Sequence, residues 1–190
     1  TAAPPDPATI RSAPEGAEEL ADWIVTGGST LADVLAGLAP DAPTWHPFPA
    51  PMVAGVWRRR QAQETSVHRW DAQVAVGGDA TIEPAMAADG VGEYFEVILG
   101  RKFARDGGAP PARSDWLHVA ATDAAAEWWV RTEAEQVRVE RSAVAAPAAA
   151  TLRGRAEDLQ LVLFARRPAS VLSAQGDPTL VDEWLAIGGN

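Results

Sequence analysis

From Pro14 to Leu38, apolar residues return at mixed three- and four-residue spacings (Leu20, Ile24, Leu31, Leu35, Leu38), which predicts an amphipathic helix. Ser12 or Glu15 stands near its start, Gly27-Gly28 can kink it and Pro40 stops it. The stretch Pro43 to Pro51 holds too many prolines for a helix or a central strand and reads as a loop carrying Trp45, His46 and Phe48. A second helix is predicted from about Pro51 to Val76, halted by Gly77-Gly78. A third covers about Gly90 to Arg105, with Val91, Tyr94, Phe95, Ile98 and Leu99 on one face. Beyond a break at Asp106 to Arg113 the period changes to two: Asp115 to Ala121, Glu127 to Thr132 and Gln136 to Glu140 read as strands. Thr151 to Gly154 can be a fourth strand. Ala156 to Arg166, with Leu159, Leu161 and Leu163, reads as a helix packed on the sheet, Ser170 to Ala174 as a last strand and Pro178 to Ile187 as a final helix. The expected fold class is α+β in two domains, a partial helical bundle over 1–107 and a small α+β domain over 114–190.

The second helix carries the most specific chemistry. In Arg60-Gln-Ala-Gln-Glu64-Thr-Ser-Val-His68-Arg-Trp-Asp71, Glu64, His68 and Asp71 fall within a helical sector of roughly 60°. The apolar stripe Val56, Val67, Trp70 and Val74 lies roughly 80° away, which places the three ionisable groups on the inward half of the helix. Unpaired charges there are costly, so a compensating partner is expected. Glu64 and His68, spaced i and i+4, can point two ligands at one divalent metal. Arg60, one turn before Glu64, offers the other solution, a buried Arg–Glu–His network. Asp71 can accept a hydrogen bond from a ligand histidine or from Arg69, and the spacing does not choose between them.

Composition narrows the setting. The 190 residues hold no cysteine, which excludes disulfides, cysteine-based zinc sites and a protein thiol nucleophile. No apolar run reaches membrane-spanning length and nothing resembles a signal peptide, so a cytoplasmic protein with no membrane partner is expected. A net charge of −10 argues against a nucleic-acid partner, and the densest basic run, Arg58-Arg59-Arg60, reads as a solvated helix face. Fifteen arginines against one lysine, with abundant alanine, point to a GC-rich genome. The opening Thr1-Ala-Ala-Pro-Pro-Asp-Pro has the composition of a linker, and an upstream segment is expected to be missing.

The motif Arg60-x-x-x-Glu64-x-x-x-His68-Arg-Trp-Asp71-Ala resembles the metal-binding helix of the mycothiol-dependent maleylpyruvate isomerase family, within the DinB-like helical superfamily. Asp89-Gly-Val-Gly-Glu93 is similar to the start of that family's connecting helix. Trp116-Leu-His-Val, Thr122-Asp, Glu127-Trp, Gly154-x-Ala156-x-Asp158-Leu and Leu161-x-Leu163-x-x-Arg166 resemble its small C-terminal domain, which is similar to sterol-carrier folds. The resemblance implies a divalent metal, usually zinc, held by two histidines and a glutamate in a four-helix bundle, with Glu64 and His68 as two of the ligands. The third is a histidine on an earlier helix, yet no histidine precedes His46. Loss of upstream helices is the expected reason. The resemblance further implies mycothiol, a thiol of actinobacteria, as cosubstrate. Its metal-activated thiolate would add to a small-molecule electrophile in an isomerase or transferase reaction.

Arg166 is similar in position to a family arginine proposed to hold substrate carboxylates, and helix capping beside Arg167 is its other reading. His46 reads as a loop-packing residue or one near the mouth of the bundle. His118 reads as a surface or interdomain residue, and the eight tryptophans as core. The competing functional expectation is a non-catalytic binding module, with a sterol-carrier-like apolar pocket and a structural Glu64–His68 pair.

Overall fold

The computed structural model describes residues 3–106 and 109–188, and the chain divides into two compact units, residues 1–62 and 63–190. The division falls inside the second helix. The partition at 106–114 follows the change of hydrophobic period and remains a proposal about sequence modules, which need not coincide with compact units.

In the first unit, α1 (Ala17–Gly37) runs through Gly27-Gly28 without interruption, with Glu18 and Glu19 in its first turn where the helix dipole favours acids. Its C-terminal carbonyls, orphaned by the helix geometry, are taken up by the start of α2 (Ala54–Ala75). Arg58 Nε donates to the Leu35 oxygen at 2.9 Å, and Arg58 Nη2 donates to Leu38. The proline-rich loop is ordered around its aromatics, with Trp57 Nε1 donating to the Trp45 carbonyl at 2.8 Å and Phe48 edge-on to Trp57. Ile24, Val25 and Val34 of α1 are exposed.

The second unit holds one continuous core. Val67 and Trp70 of α2 pack there with α3 (Pro84–Glu93), a single π-helical turn (Tyr94–Ile98) and α4 (Leu99–Asp106). The third helix starts at Pro84 rather than Gly90. Glu83 caps it, its carboxylate accepting from the backbone N–H of Ala85 (2.9 Å) and Met86 (3.1 Å), and Pro84 occupies the first turn, where its missing N–H costs nothing. Strands β1 (Leu117–Ala121), β2 (Glu127–Glu133), β3 (Gln136–Glu140), β4 (Ala150–Gly154) and β5 (Ser173–Gly176) form one sheet in the order β3-β2-β1-β4-β5, with β1 and β4 parallel and the other pairs antiparallel. Leu117, Val119, Trp128, Val130, Ala150 and Leu152 turn one face of the sheet into the core. The helices α5 (Ala156–Leu163) and α6 (Pro178–Gly188) contribute Leu159, Leu161, Leu180 and Trp184 to that core. The chain is therefore α+β as expected. The last strand sits later than expected because a 3₁₀ turn over Ala169–Val171, opened by Pro168, intervenes.

A polar bridge fixes α3 against α5. Gln160 Nε2 donates to Gln63 Oε1 at 3.0 Å, and Gln63 Nε2 donates to Asp89 Oδ2 at 2.9 Å. A β-carbon at Gly90 would lie 2.1 Å from Gln160 Nε2, so only glycine leaves room for this bridge.

The β2–β3 hairpin turns on Ala134 and Glu135, both left-handed (φ 50° and 62°), in a two-residue loop closed by the Glu133–Gln136 pair. Neither residue type favours that region. Replacement of the pair by Asn-Gly is expected to raise stability by about 1 kcal/mol in urea unfolding, without changing the denaturant slope.

Candidate functional site

The site residues expected from the sequence meet on the second unit. His68 lies between two carboxylates of its own helix, with Nε2 3.1 Å from Glu64 Oε1 and Nδ1 3.0 Å from Asp71 Oδ2. Asp71 also receives Arg166. Nε donates to Oδ1 at 3.0 Å and Nη2 to Oδ2 at 2.9 Å, a bidentate pair between groups 95 residues apart in the chain. Arg166 Nη1 donates to the Phe164 carbonyl at 2.8 Å, so part of the capping reading is realised in the same side chain. Three of the five guanidinium N–H groups are thereby engaged.

The expected inward placement of the cluster is corrected. The side chains of Glu64 and His68 are 48% and 59% exposed, and those of Asp71 and Arg166 are 33% and 28% exposed. The three residues sit beside the buried stripe of Val67 and Trp70, not within it, and their side chains reach solvent. Compensation for Asp71 comes from Arg166, which helical spacing could not reveal. The Arg166 hydrogen bond is the main influence holding the Asp71 carboxyl below its ordinary value, opposed by burial and helped by His68. The same pairing holds the Arg166 guanidinium more firmly protonated.

Arg166 reaches α2 through the way α5 ends. The helix stops at Leu163 rather than at Arg166, and the chain leaves it through Ala165 in the left-handed region (φ 59°). The Ala165 N–H donates to Val162 O at 2.9 Å and the Arg166 N–H to Leu161 O at 2.7 Å, the crossed pair of a Schellman ending. Glycine normally occupies that position, and alanine stores local strain next to the arginine it aims. Arg167, one residue on, donates to Asp158 and to Glu157 (3.3 Å) and lies over the Trp70 ring, 5.6 Å from its centre.

The other two histidines stand elsewhere. His46 is fully buried in the first unit, with Nε2 donating to the Pro51 carbonyl at 2.7 Å and Nδ1 accepting from the Phe48 N–H at 3.3 Å, so it packs its loop. His118 stacks on Trp129 with ring centres 4.3 Å apart and places Nε2 2.8 Å from Glu127 Oε2.

Among the described residues, no group of three or more His, Asp and Glu side chains is arranged to hold a metal ion, so Glu64 and His68 present two donors and no third. Those two fit part of a zinc site by chemistry. They are an imidazole nitrogen and a carboxylate oxygen on adjacent turns, with a second carboxylate behind the imidazole fixing its orientation.

The fold and this cluster define an α+β protein with an exposed acid–imidazole–acid group clamped by an arginine. Residues 1–73, which include Glu64, His68 and Asp71, match the family model described as the mycothiol maleylpyruvate isomerase N-terminal domain. The resemblance carried by the α2 motif is thus shown for this segment. No curated protein matches the chain. A solved structure titled "UbiJ-SCP2 Ubiquinone synthesis protein" is similar at 18% identity and a TM-score of 0.39, covering 58% of this chain and 94% of that one.

Two outcomes are expected. The low Asp71 pKa contributes stability above the unfolded carboxyl value of about 3.9, and this is lost as pH falls through the lower folded value. Asp71→Asn should therefore cost about 1 kcal/mol at neutral pH, and the difference from wild type should close below about pH 4 in acid-dependent unfolding. A difference that persists at low pH would contradict the pairing. Ala165→Gly should raise the unfolding midpoint, with a gain of up to about 1 kcal/mol, by removing the left-handed strain at the end of α5.

Proposed function

We propose that this chain belongs to a mycothiol-dependent isomerase or thiol transferase of the cytoplasm, with Glu64 and His68 as two of the donors to a divalent metal, zinc in the first instance. The observation that carries this reading is the carboxylate–imidazole–carboxylate alignment on α2, within the segment that matches the family model. When bound, such an ion lowers the pKa of a thiol and holds it as thiolate at neutral pH. The cysteine-free chain needs the cosubstrate to bring that sulfur. The electrophile would be a small molecule with an activated double bond or a leaving group.

Each residue has a definite task in this reading. Asp71 accepts the His68 Nδ1 proton, which fixes the tautomer and leaves Nε2 with its lone pair as a ligand. Glu64 contributes the second donor, 3.1 Å from that nitrogen. Arg166 keeps two N–H donors uncommitted after its bonds to Asp71 and Phe164, and these can receive a carboxylate of the substrate. The remaining donors to the ion would come from outside the pair, including the thiol itself.

The lack of a third protein donor among the described residues favours a second reading. In it, Glu64, His68, Asp71 and Arg166 form only an ionic network that ties α2 to the end of α5, and the chain is a non-catalytic binding module.

Zinc affinity measured by competition with a chromophoric chelator separates the two readings. Binding that falls at least about tenfold in both His68→Ala and Glu64→Gln, and by about 10–100-fold in Asp71→Asn, is the expected result. Affinity unchanged by His68→Ala, or no zinc binding at all, would leave the ionic network standing.

A further inference from the structure

A second constellation lies on the sheet, at residues that the thiol reading does not use. On β1, His118 and Ala120 alternate with the buried Leu117 and Val119 and so face away from the helices. Ala120 is in register with Glu127 of β2 on one side and Arg153 of β4 on the other. With only a methyl group between them, Glu127 and Arg153 stand two strand spacings apart, roughly 10 Å between their backbones, and no ion pair joins them. A cavity of about 580 Å³ opens there, floored by the alanines between Ala120 and Ala126 and walled by His118, Glu127, Arg141 and Arg153. That volume suits a small organic molecule.

His118, Glu127 and Arg141 are held in place by contacts of their own. The Arg141 guanidinium is anchored through Nε and Nη2 to Glu96 Oε1, at 2.9 and 2.6 Å, and lies 5.6 Å from the centre of the Trp128 ring. It passes so close to α3 that a β-carbon at Gly92 would lie 2.0 Å from Nη2, so glycine there makes the anchorage possible. Nη1 is left without a partner among the described residues. His118 is pinned by its stack on Trp129 and by Glu127 at Nε2, which leaves Nδ1 uncommitted. The Arg153 side chain has no hydrogen bond or ion pair among the described residues, although the chain carries 26 acidic side chains against 16 basic ones. An anchored arginine and an unpaired one thus stand at opposite ends of an apolar floor, Arg141 after β3 and Arg153 on β4, three strands away.

We propose that this cavity binds a small organic anion, with its carboxylate or phosphate head on Arg153 and its apolar body on the alanine floor beside His118. Arginine forks suit both head groups, and charge-assisted bonds give the site its strength. Glu127 holds His118 in place at the edge opposite Arg153, which repels a second anionic group and sets the ligand's direction.

Titration of the full chain with phenyl phosphate, followed by ¹H–¹⁵N NMR, tests this, with benzoate and inorganic phosphate as comparisons. Phenyl phosphate or benzoate should give saturable shifts at residues 118–127 and 153, and should bind more tightly than inorganic phosphate. Arg153→Ala should weaken binding by about 10–100-fold, the worth of a charge-assisted bond, whereas Arg11→Ala, which removes an arginine remote in sequence, should leave it unchanged. Ala120→Leu, which fills the floor, should abolish the shifts while the rest of the spectrum keeps its folded dispersion. The proposal is overturned if neither organic anion gives saturable shifts at millimolar concentration. It is equally overturned if Arg153→Ala binds as wild type does, or if inorganic phosphate binds as tightly as phenyl phosphate.

Discussion

The carboxylate of Asp71 accepts three hydrogen bonds from two side chains, and the second unit's candidate chemistry is arranged around it. Arg166 brings the end of α5 onto α2, and His68 is oriented by what remains of the same group. A carboxylate shared in this way must stay ionised to serve both partners, and the arginine keeps it so. The pair is only partly exposed and bidentate, which separates it from the solvent-facing arginine–carboxylate pairs on the sheet, such as Arg138 with Glu133 and Glu140. Arg167 adds its cation over Trp70, so two neighbouring arginines hold one helix by two kinds of contact.

The parts of this arrangement that repeat along one helix were legible in the sequence. Spacings of four and three residues placed Glu64, His68 and Asp71 on a common line, and the structure keeps them within hydrogen-bond reach. Periodicity also found the first three strands in chain order and the helices before the sheet. It misjudged depth, because a sector at the border of an apolar stripe can lie on either side of the surface, and here it lies outside. The ending of α5 was hidden for another reason. A left-handed residue is signalled by glycine or asparagine, and Ala165 gives no such signal, so the helix read on to Arg166. Without that turn, the contact between Arg166 and Asp71 had no visible route.

The cavity beside His118 was missed because its members come from three strands, a turn and the segment after β3. Each one alone reads as an ordinary surface residue. Only sheet register shows that Ala120 separates Glu127 from Arg153, and only the packing of α3 shows why Gly92 lies against an anchored arginine. Residue type at a strand position says which face a side chain takes, and it does not say what its neighbours two strands away will be.

The strand order carries a consequence in time. β1, at the centre of the sheet, is flanked by β2 and by β4, and β4 enters the chain only after the β1–β2–β3 meander is complete. During synthesis the meander can therefore form while the far edge of β1 still presents unpaired N–H and C=O groups, with Leu117 and Val119 beside them. Closure waits for residues 150–154 to emerge and cross back beneath the first strand. The nascent chain thus passes through a stage in which its most buried strand is its most adhesive edge.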